Sequence, residues 1–216
     1  MRFADRTEAG KLLAGELGRF TGQRPVVLAL ARGGVPVGYE IALALHAPLE
    51  VLLVRKIRLP WQPELALGAI VDGEEPGRVI DEDMVRRLSI PQFYIDEEVR
   101  RQRREIERRR QLYGRGRSPI SLKGATAILV DDGIATGASM QVALRSVRRR
   151  HPAHLVLAVP VAAQDSLLSL RDEADQVVCL DVPENFGAVG QFYDDFHDVK
   201  DAEVIALLQK AHYGAD

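Results

Sequence analysis

The feature that most constrains the fold is an apolar stretch that ends in two adjacent acids and a loop of small residues, ILVDDGIATGAS at 128–139. The apolar run at 125–130 suits a strand that is buried on both faces. A loop at 131–136 follows. The next apolar residues recur on one helical face: Met140, Ala143, Leu144 and Val147. A buried strand that leads into a helix is the repeating unit of a parallel sheet.

The same strand-then-helix unit recurs along the chain. A strand at 26–30 leads into the turn Arg32-Gly33-Gly34, a helix and a strand at 49–54. Later segments predict a strand at 155–161, a helix at 164–171, a strand at 177–180 and a last helix at 202–211. A first helix begins after Asp5, with Glu8 placed for a capping box. The alternation predicts an α/β fold, a parallel twisted sheet flanked by helices, in one domain spanning 1–216.

Composition excludes several classes of protein. The 29 basic and 31 acidic residues give a net charge of −2, which disfavours nucleic acid as a partner. The one cysteine, Cys179, excludes an intrachain disulfide and a zinc site built on cysteines. No apolar run approaches the roughly 20 residues that span a bilayer, and the first ten residues have no apolar signal core. We therefore expect a cytoplasmic protein without a membrane partner.

Two middle segments differ from the alternating pattern. Residues 60–79 are punctuated by proline and glycine, which predicts a long loop or a hairpin. Residues 91–116 are rich in arginine and glutamate, which predicts one long exposed helix inserted in the domain. Charges of both signs at helical spacing favour a solvated helix. Nucleic-acid binding and packing on a partner subunit remain alternatives for this segment.

The loop after the two acids has the chemistry of an anion site. Small residues allow backbone N–H groups to approach an anion, and a helix N-terminus adds favourable partial charge. Thr136 and Ser139 offer hydroxyl groups to the same anion. Asp131 and Asp132 stand where they could accept hydrogen bonds from a sugar diol. These residues together describe a ribose 5-phosphate site. The loop has neither the lysine of a Walker motif nor the glycines of a hydrolase nucleophile elbow.

This segment resembles the 5-phosphoribosyl 1-pyrophosphate (PRPP) signature of the type I phosphoribosyltransferases. It is most similar to the adenine phosphoribosyltransferase form, in which an Ala-Thr-Gly run follows the acids. The resemblance implies a small hood over the sheet, Mg²⁺ as cofactor, and PRPP and a nitrogenous base as substrates. It makes Asp131 and Asp132 catalytic and metal-binding residues. It assigns the 5-phosphate to a run of five residues: Ala135, Thr136, Gly137, Ala138 and Ser139.

Two basic segments match the family in the expected order. The tight loop that grips the pyrophosphate in the family corresponds here to Ala31, Arg32, Gly33 and Gly34. The strand end at 54–60 is similar to the Arg-Lys…Leu-Pro segment of adenine phosphoribosyltransferases. The resemblance makes Arg55 and Lys56 pyrophosphate-binding residues, and Lys56 also a catalytic one.

The remaining parts of the resemblance concern a loop and the base site. Residues 60–80 fall where the family has its flexible catalytic loop, with Trp61 and Glu64 as candidate contacts. The segment at 181–196 resembles the base-binding stretch of hypoxanthine-guanine phosphoribosyltransferases. Phe186 would stack on the base, and Asp194 would lie near the pyrophosphate and its metal. Ala135 stands where those enzymes have a loop aspartate, so no general base comes from that position.

Two other functions remain open at this stage. The first is a PRPP-sensing regulatory or nucleic-acid-binding protein that keeps the sugar-phosphate site without chemistry. The second is a partner-binding module on a degenerate transferase fold, which the intact acid pair disfavours. Family members are commonly dimers or tetramers, and we expect a homodimer.

Overall fold

The computed structural model of the protein describes residues 1–59, 61–62, 66–72, 78–113 and 120–213. Its helices are, in chain order, α1 (Arg6–Leu17), α2 (Gly34–Leu45), α3 (Glu82–Arg87), α4 (Gln92–Tyr113), α5 (Ala138–Arg149), α6 (Gln164–Leu170) and α7 (Asp201–Tyr213). Its strands are β1 (Pro25–Leu30), β2 (Leu49–Leu52), β3 (Val54–Arg58), β4 (Ala66–Val71), β5 (Arg78–Ile80), β6 (Thr126–Val130), β7 (His154–Val161) and β8 (Gln176–Asp181). Within these ranges, no helix combines the length and the apolar character that crossing a membrane requires.

The central sheet has five parallel strands in the order β2-β1-β6-β7-β8. Val27 of β1 lies opposite Ile128 of β6, which in turn lies opposite Val156 of β7. Every residue of β1 and β6 is buried. Successive residues of β1 pack into two different apolar clusters, one with α1 and α2 and the other with α5. Helices on both faces explain why these strands read as continuous apolar runs, as predicted.

The order of the strands changes direction between β1 and β6. From β1 the chain proceeds outward to β2, and from β6 it proceeds the other way to β7 and β8. In open parallel sheets, ligands bind beyond the carboxyl ends of the strands at such a switch point. The Arg-Gly-Gly turn follows β1 and the two acids follow β6. The fold therefore places the two predicted anion-binding loops side by side.

A second, antiparallel sheet of three strands is formed by β3, β4 and β5. Of the two alternatives predicted for 60–79, a long loop or a hairpin, the hairpin fits the strands β4 and β5, which pair antiparallel. Proline and glycine in this segment indicated a loop, although the structure buries four apolar residues of β4: Leu67, Ala69, Ile70 and Val71. Ile70 packs into the cluster that includes α4 residues, whereas Ala69 and Val71 pack into the cluster that includes α5 residues. The sheet is thus covered on both faces.

The predicted arginine-rich helix is present as α4, a helix of 22 residues. Its buried face carries Ile95, Val99 and Ile106, which pack into the core. Its charged side chains pair along the helix, as when Glu105 accepts hydrogen bonds from Arg108 and Arg109. These paired charges stabilise a solvated surface. The predicted end of the segment, 114–116, lies outside the described residues, and its status as an insertion stays a prediction.

The N-terminal segment packs against the segment that follows β8. Phe3 is fully buried and forms a parallel bridge with Tyr193. Asp5 is the N-cap of α1, as predicted, because its carboxylate accepts a hydrogen bond from the Glu8 N–H. The capping box is only half formed: Glu8 accepts from the N–H of Ala4, the residue before the N-cap, where a capping box uses the N–H of the N-cap itself. The contact between these two segments lies at the carboxyl end of β6, where the Tyr193 hydroxyl donates to the Asp132 carbonyl, and corresponds to the expected hood.

Candidate active site

The two acids lie at the carboxyl end of β6 and are largely buried. The Asp131 carboxylate accepts a hydrogen bond from the Asp132 N–H at 2.9 Å, which fixes the turn. Burial raises the pKa of Asp131 well above its usual range, and the neighbouring Asp132 carboxylate raises it further. Burial also raises the pKa of Asp132, against the opposing effect of Arg6. The pair therefore lies in a low-dielectric environment, in which the pKa of each carboxyl group depends strongly on the charge of the other and on nearby cations.

The turn after β1 packs directly on the acid pair. A Cβ atom on Gly33 would come within 2.0 Å of Asp132 Oδ2, and one on Gly34 would come within 2.8 Å of the Val130 carbonyl oxygen. Only glycine permits so close an approach. The Ala31–Arg32 peptide bond of this turn is cis. The structure thus brings the predicted pyrophosphate loop and the predicted ribose-binding acids into contact.

The Arg32 side chain points to the segment that leads into α7. Its guanidinium forms ion pairs with Asp198 at 2.7 Å and with Asp201 at 3.7 Å. The Asp198 side chain is 76% exposed, so solvent weakens its hold on Arg32. Arg32 therefore precedes the glycines that contact the acid pair, while its guanidinium is paired with the carboxylates of Asp198 and Asp201.

The loop at 135–139 is suited to hold an anion. Ala135, Thr136 and Ala138 are exposed, and α5 begins directly after Gly137, whose φ of +74° is in the left-handed region. Ser166 Oγ donates a hydrogen bond to the Ala135 carbonyl at 2.5 Å, which anchors the loop to α6. The N–H groups of 135–139 donate to no other described residue. These free donors and the N-terminus of α5 point to an anion site.

The structure separates Arg55 from Lys56. These neighbours on β3 project to opposite faces of the second sheet, because side chains alternate along a strand. Lys56 is exposed and lies opposite Ala69, on the face that packs towards α5. Arg55 Nε instead donates to Gln102 Oε1 of α4 at 3.0 Å. Arg55 thus has a structural partner on α4, and the assignment of both side chains to pyrophosphate stays a prediction.

Two further predicted residues have other neighbours. Phe186 is half-buried and stacks on Phe192, with ring centroids 5.4 Å apart, so one of its faces is occupied. Asp194 forms an exposed ion pair with Arg2. Within the described part of the chain, no hydrogen bond or ion pair joins Asp194 to the acid pair.

The loop contacts were predicted at two positions. Trp61 is 57% exposed. Glu64 lies outside the described residues.

Arg6 and Tyr193 are the functional candidates that the sequence reasoning missed. Arg6 Nε donates to Asp132 Oδ2 at 2.8 Å, and the Tyr193 hydroxyl donates to the Asp132 carbonyl at 2.6 Å. One signal could have revealed Arg6: it precedes Ala9 and Leu13 at helical spacing and so lies on the buried face of α1. Tyr193 carries no comparable signal, because its partner is a backbone carbonyl that is remote in sequence.

The donor set can be tested against Mg²⁺, the cofactor that the resemblance implies. Among the described residues, no group of three or more His, Cys, Asp or Glu side chains is placed to hold a metal ion. Mg²⁺ commonly takes one or two protein carboxylates and completes its shell with water and substrate phosphates. Asp131 and Asp132 fit that kind of site. Asp194, held by Arg2, does not join them.

Comparison with known proteins defines the class to which this fold and site belong. Residues 74–197 match the family model described as "Phosphoribosyl transferase domain", which covers more than half of the chain. The matched range includes the acid pair and the loop at 135–139. The chain therefore belongs to the phosphoribosyltransferase family, and its central parallel sheet flanked by helices is the type I fold.

Individual relatives support this assignment. The chain is 46% identical over 210 residues to the Mycobacterium tuberculosis (strain H37Rv) protein named "Putative phosphoribosyl transferase Rv0571c". That match covers 97% of this chain and 47% of the relative, so the chain spans about half the length of the curated protein. The protein TT1426 from Thermus thermophilus, whose crystal structure is known, is 44% identical in sequence to this chain. The two structures superpose with a TM-score of 0.82, and the match covers 97% of this chain and 99% of TT1426.

Proposed function

We propose that the chain binds PRPP and transfers its 5-phosphoribosyl group to a nitrogenous base, with release of pyrophosphate. The observation that carries this proposal is the contact between the Gly33-Gly34 turn and the acid pair, at the switch point of the sheet. The turn, the acids and the loop at 135–139 form three adjacent subsites. Their chemistry matches pyrophosphate, ribose hydroxyls and 5-phosphate in that order.

Each subsite has its own part in the reaction. The N–H groups of 135–139 and the Thr136 and Ser139 hydroxyls hold the 5-phosphate as an anchor that orients C1 of the ribose. A base nitrogen forms a bond to C1 as the bond from C1 to the pyrophosphate oxygen breaks and its electron pair leaves with pyrophosphate. The ribose ring gains positive charge in the transition state. In the complex with Mg²⁺ and PRPP, whose metal favours the ionised carboxylates, Asp131 and Asp132 would hold the ribose hydroxyls and stabilise that charge.

The departing pyrophosphate is stabilised by cations. Arg32 follows β1 beside the acid pair, and exposed Lys56 lies on the face of β3 towards α5. Mg²⁺, held by Asp131 and Asp132 together with substrate oxygens, would supply further positive charge to the pyrophosphate. Ala135 has no group that could accept a proton, so no general base comes from that position.

A PRPP-sensing protein is the second candidate function. Two observations favour it: Ala135 lacks a carboxylate, and Phe186 has one face covered by Phe192. Such a protein keeps the sugar-phosphate site and performs no transfer. A partner-binding module on the same fold is the third, and it requires no PRPP at all. Two further parts of the proposal are the cytoplasmic location expected from the apolar patterning of the sequence and the homodimer expected from the family resemblance. Sedimentation analysis tests the dimer.

Pyrophosphate release distinguishes these functions. The purified chain is incubated with PRPP and Mg²⁺ and with a panel of purine and pyrimidine bases, and released pyrophosphate is measured. The Asp131→Asn/Asp132→Asn double variant is the control. Transfer predicts base-dependent release by the wild type that the double variant loses. PRPP binding without release from any base favours the sensor instead.

A further inference from the structure

Arg6 is a buried arginine that contacts the acid pair from outside the sheet. It is the first residue of α1 and is 7% exposed. Its guanidinium group makes two hydrogen bonds: Nε donates to Asp132 Oδ2 at 2.8 Å, and a terminal N–H donates to the His197 carbonyl at 2.9 Å. Among the described basic residues, only Arg6 forms an ion pair with either acid.

The Arg6 guanidinium is itself held in place. Its central carbon lies 3.9 Å from the centroid of the Phe196 ring, a cation–π distance. The Tyr193 ring lies 6.0 Å away on the same segment, and the Tyr193 hydroxyl fixes the Asp132 backbone. Asp132 is therefore restrained twice, through its carboxylate by Arg6 and through its carbonyl by Tyr193. On the other side, the carboxylate touches Gly33.

Stability alone does not explain this arrangement. A buried ion pair often contributes no more to folding than apolar side chains of similar volume, because desolvation offsets the attraction. The guanidinium lies between aromatic rings, those of Phe196 and Tyr193, and two polar acceptors, the Asp132 carboxylate and the His197 carbonyl. An apolar residue in place of Arg6 could not fix the orientation of the Asp132 carboxylate, because it donates no hydrogen bond.

We propose that Arg6 is a positioning residue of the PRPP site, which sets the Asp132 carboxylate in the orientation that receives the ribose hydroxyls. This inference rests on the proposed function. It extends the site to the N-terminal helix, which acts through Asp132 and does not touch the substrate. Arginine is required because a lysine ammonium cannot serve Asp132 and the His197 carbonyl with the same fixed fork.

The test compares a ligand that needs Asp132 with a ligand that does not. PRPP is titrated calorimetrically with Mg²⁺, and inorganic pyrophosphate without Mg²⁺ so that no metal held by Asp132 contributes, into the wild type and Arg6→Lys. Arg19→Lys, an exposed arginine that follows the same helix, is the matched control. For Arg6→Lys we expect about a tenfold higher Kd for PRPP, the scale of one hydrogen bond to a charged group, and a Kd for pyrophosphate within about twofold. Arg19→Lys should leave both unchanged.

A second pair of variants keeps the test independent of folding. In an Asp132→Asn background, Arg6→Lys should have no further effect on PRPP binding, because the two residues act as one unit. Additive losses, equal losses for PRPP and pyrophosphate, or wild-type affinity in Arg6→Lys would each overturn the positioning role while leaving the proposed function intact. A wild type that binds no PRPP would overturn the proposed function, and with it this role.

Discussion

Gly33 and Asp132 are in direct contact across the switch point of the sheet. The absent side chain of Gly33 leaves the space that Asp132 Oδ2 occupies, since a Cβ there would lie 2.0 Å from that oxygen. The same oxygen accepts the hydrogen bond from Arg6 at 2.8 Å. A single carboxylate oxygen thus joins the turn after β1, the end of β6 and the start of α1.

Gly33→Ala should disrupt this junction. The added methyl group would collide with the Asp132 carboxylate and displace either the turn or the acid. We expect a loss of about 1–3 kcal/mol in the free energy of unfolding, as for overpacking of a core, and a large fall in PRPP affinity. Chemical denaturation and calorimetry measure the two effects.

Gly15→Ala is the matched control for that variant. Gly15 lies within α1, and a Cβ there would have no heavy atom within 4 Å. Alanine in a helix interior should stabilise the protein by about 0.5–1 kcal/mol and leave PRPP binding unchanged. Equal behaviour of the two alanine variants would contradict the contact between Gly33 and Asp132.

Asp131→Asn should stabilise the protein at alkaline pH and abolish its function. Burial and Asp132 raise the pKa of Asp131, so the folded protein retains a proton that the unfolded chain has released. The wild type therefore loses stability as pH rises from about 4, the ordinary aspartate pKa, towards the raised one. Asparagine has no such proton. The thermal midpoint of the variant should exceed that of the wild type at pH 8, and the difference should vanish near pH 4.

The control for this pH dependence is Asp172→Asn, at an exposed position outside the site. It should show no gain in midpoint that grows with pH. Asp131→Asn could instead be less stable than the wild type at pH 8. The buried Asp131 carboxylate would then not destabilise the folded protein, and the electrostatic account of the acid pair would fail.

Lys56→Ala and Arg55→Ala should have opposite phenotypes although the residues are adjacent. Lys56→Ala removes an exposed cation and should raise the Kd for PRPP about tenfold, with little change for ribose 5-phosphate or stability. Arg55→Ala leaves the buried Gln102 oxygen without its donor and should cost about 1–3 kcal/mol of stability. PRPP affinity should change little in that variant. An equal loss of ribose 5-phosphate affinity in Lys56→Ala would exclude it as a pyrophosphate ligand.

Gly137→Ala should weaken the proposed 5-phosphate subsite. The φ of Gly137 is +74°, which costs a residue with a Cβ about 1–2 kcal/mol. The loop should shift to relieve this strain, and binding of ribose 5-phosphate should weaken. Gly18→Ala is the comparison, because Gly18 has a right-handed helical backbone and open space around it. Titration of both variants with ribose 5-phosphate checks the result.

The central sheet could be predicted because its strands are buried on both faces. Apolar runs such as 26–30 and 155–161 are typical of buried strands, and the helices between them show regular apolar spacing. The second sheet could not be predicted in the same way. β4 contains Gly68 and is flanked by proline and glycine, which indicate a loop to any local reading. Its strand state depends on packing against α4 and α5, which are remote in sequence.

The candidate site divides along a similar line. The acids and the Arg-Gly-Gly turn each follow an apolar run, so the sequence pattern identified both segments, whereas their contact depends on the pairing of β1 with β6. The different surroundings of Arg55 and Lys56 could not be predicted without knowing on which face of β3 each side chain lies. Asp194 and Phe186 depend on Arg2 and Phe192, partners that local spacing does not indicate.

The most direct test of the account is a calorimetric titration of the wild type with PRPP in the presence of Mg²⁺, with ribose 5-phosphate as comparison. The account predicts a micromolar Kd for PRPP and weaker binding of ribose 5-phosphate, because PRPP alone engages the turn at Gly33 and Gly34 as well as the loop at 135–139. A folded sample that binds neither ligand at millimolar concentration would contradict the central claim.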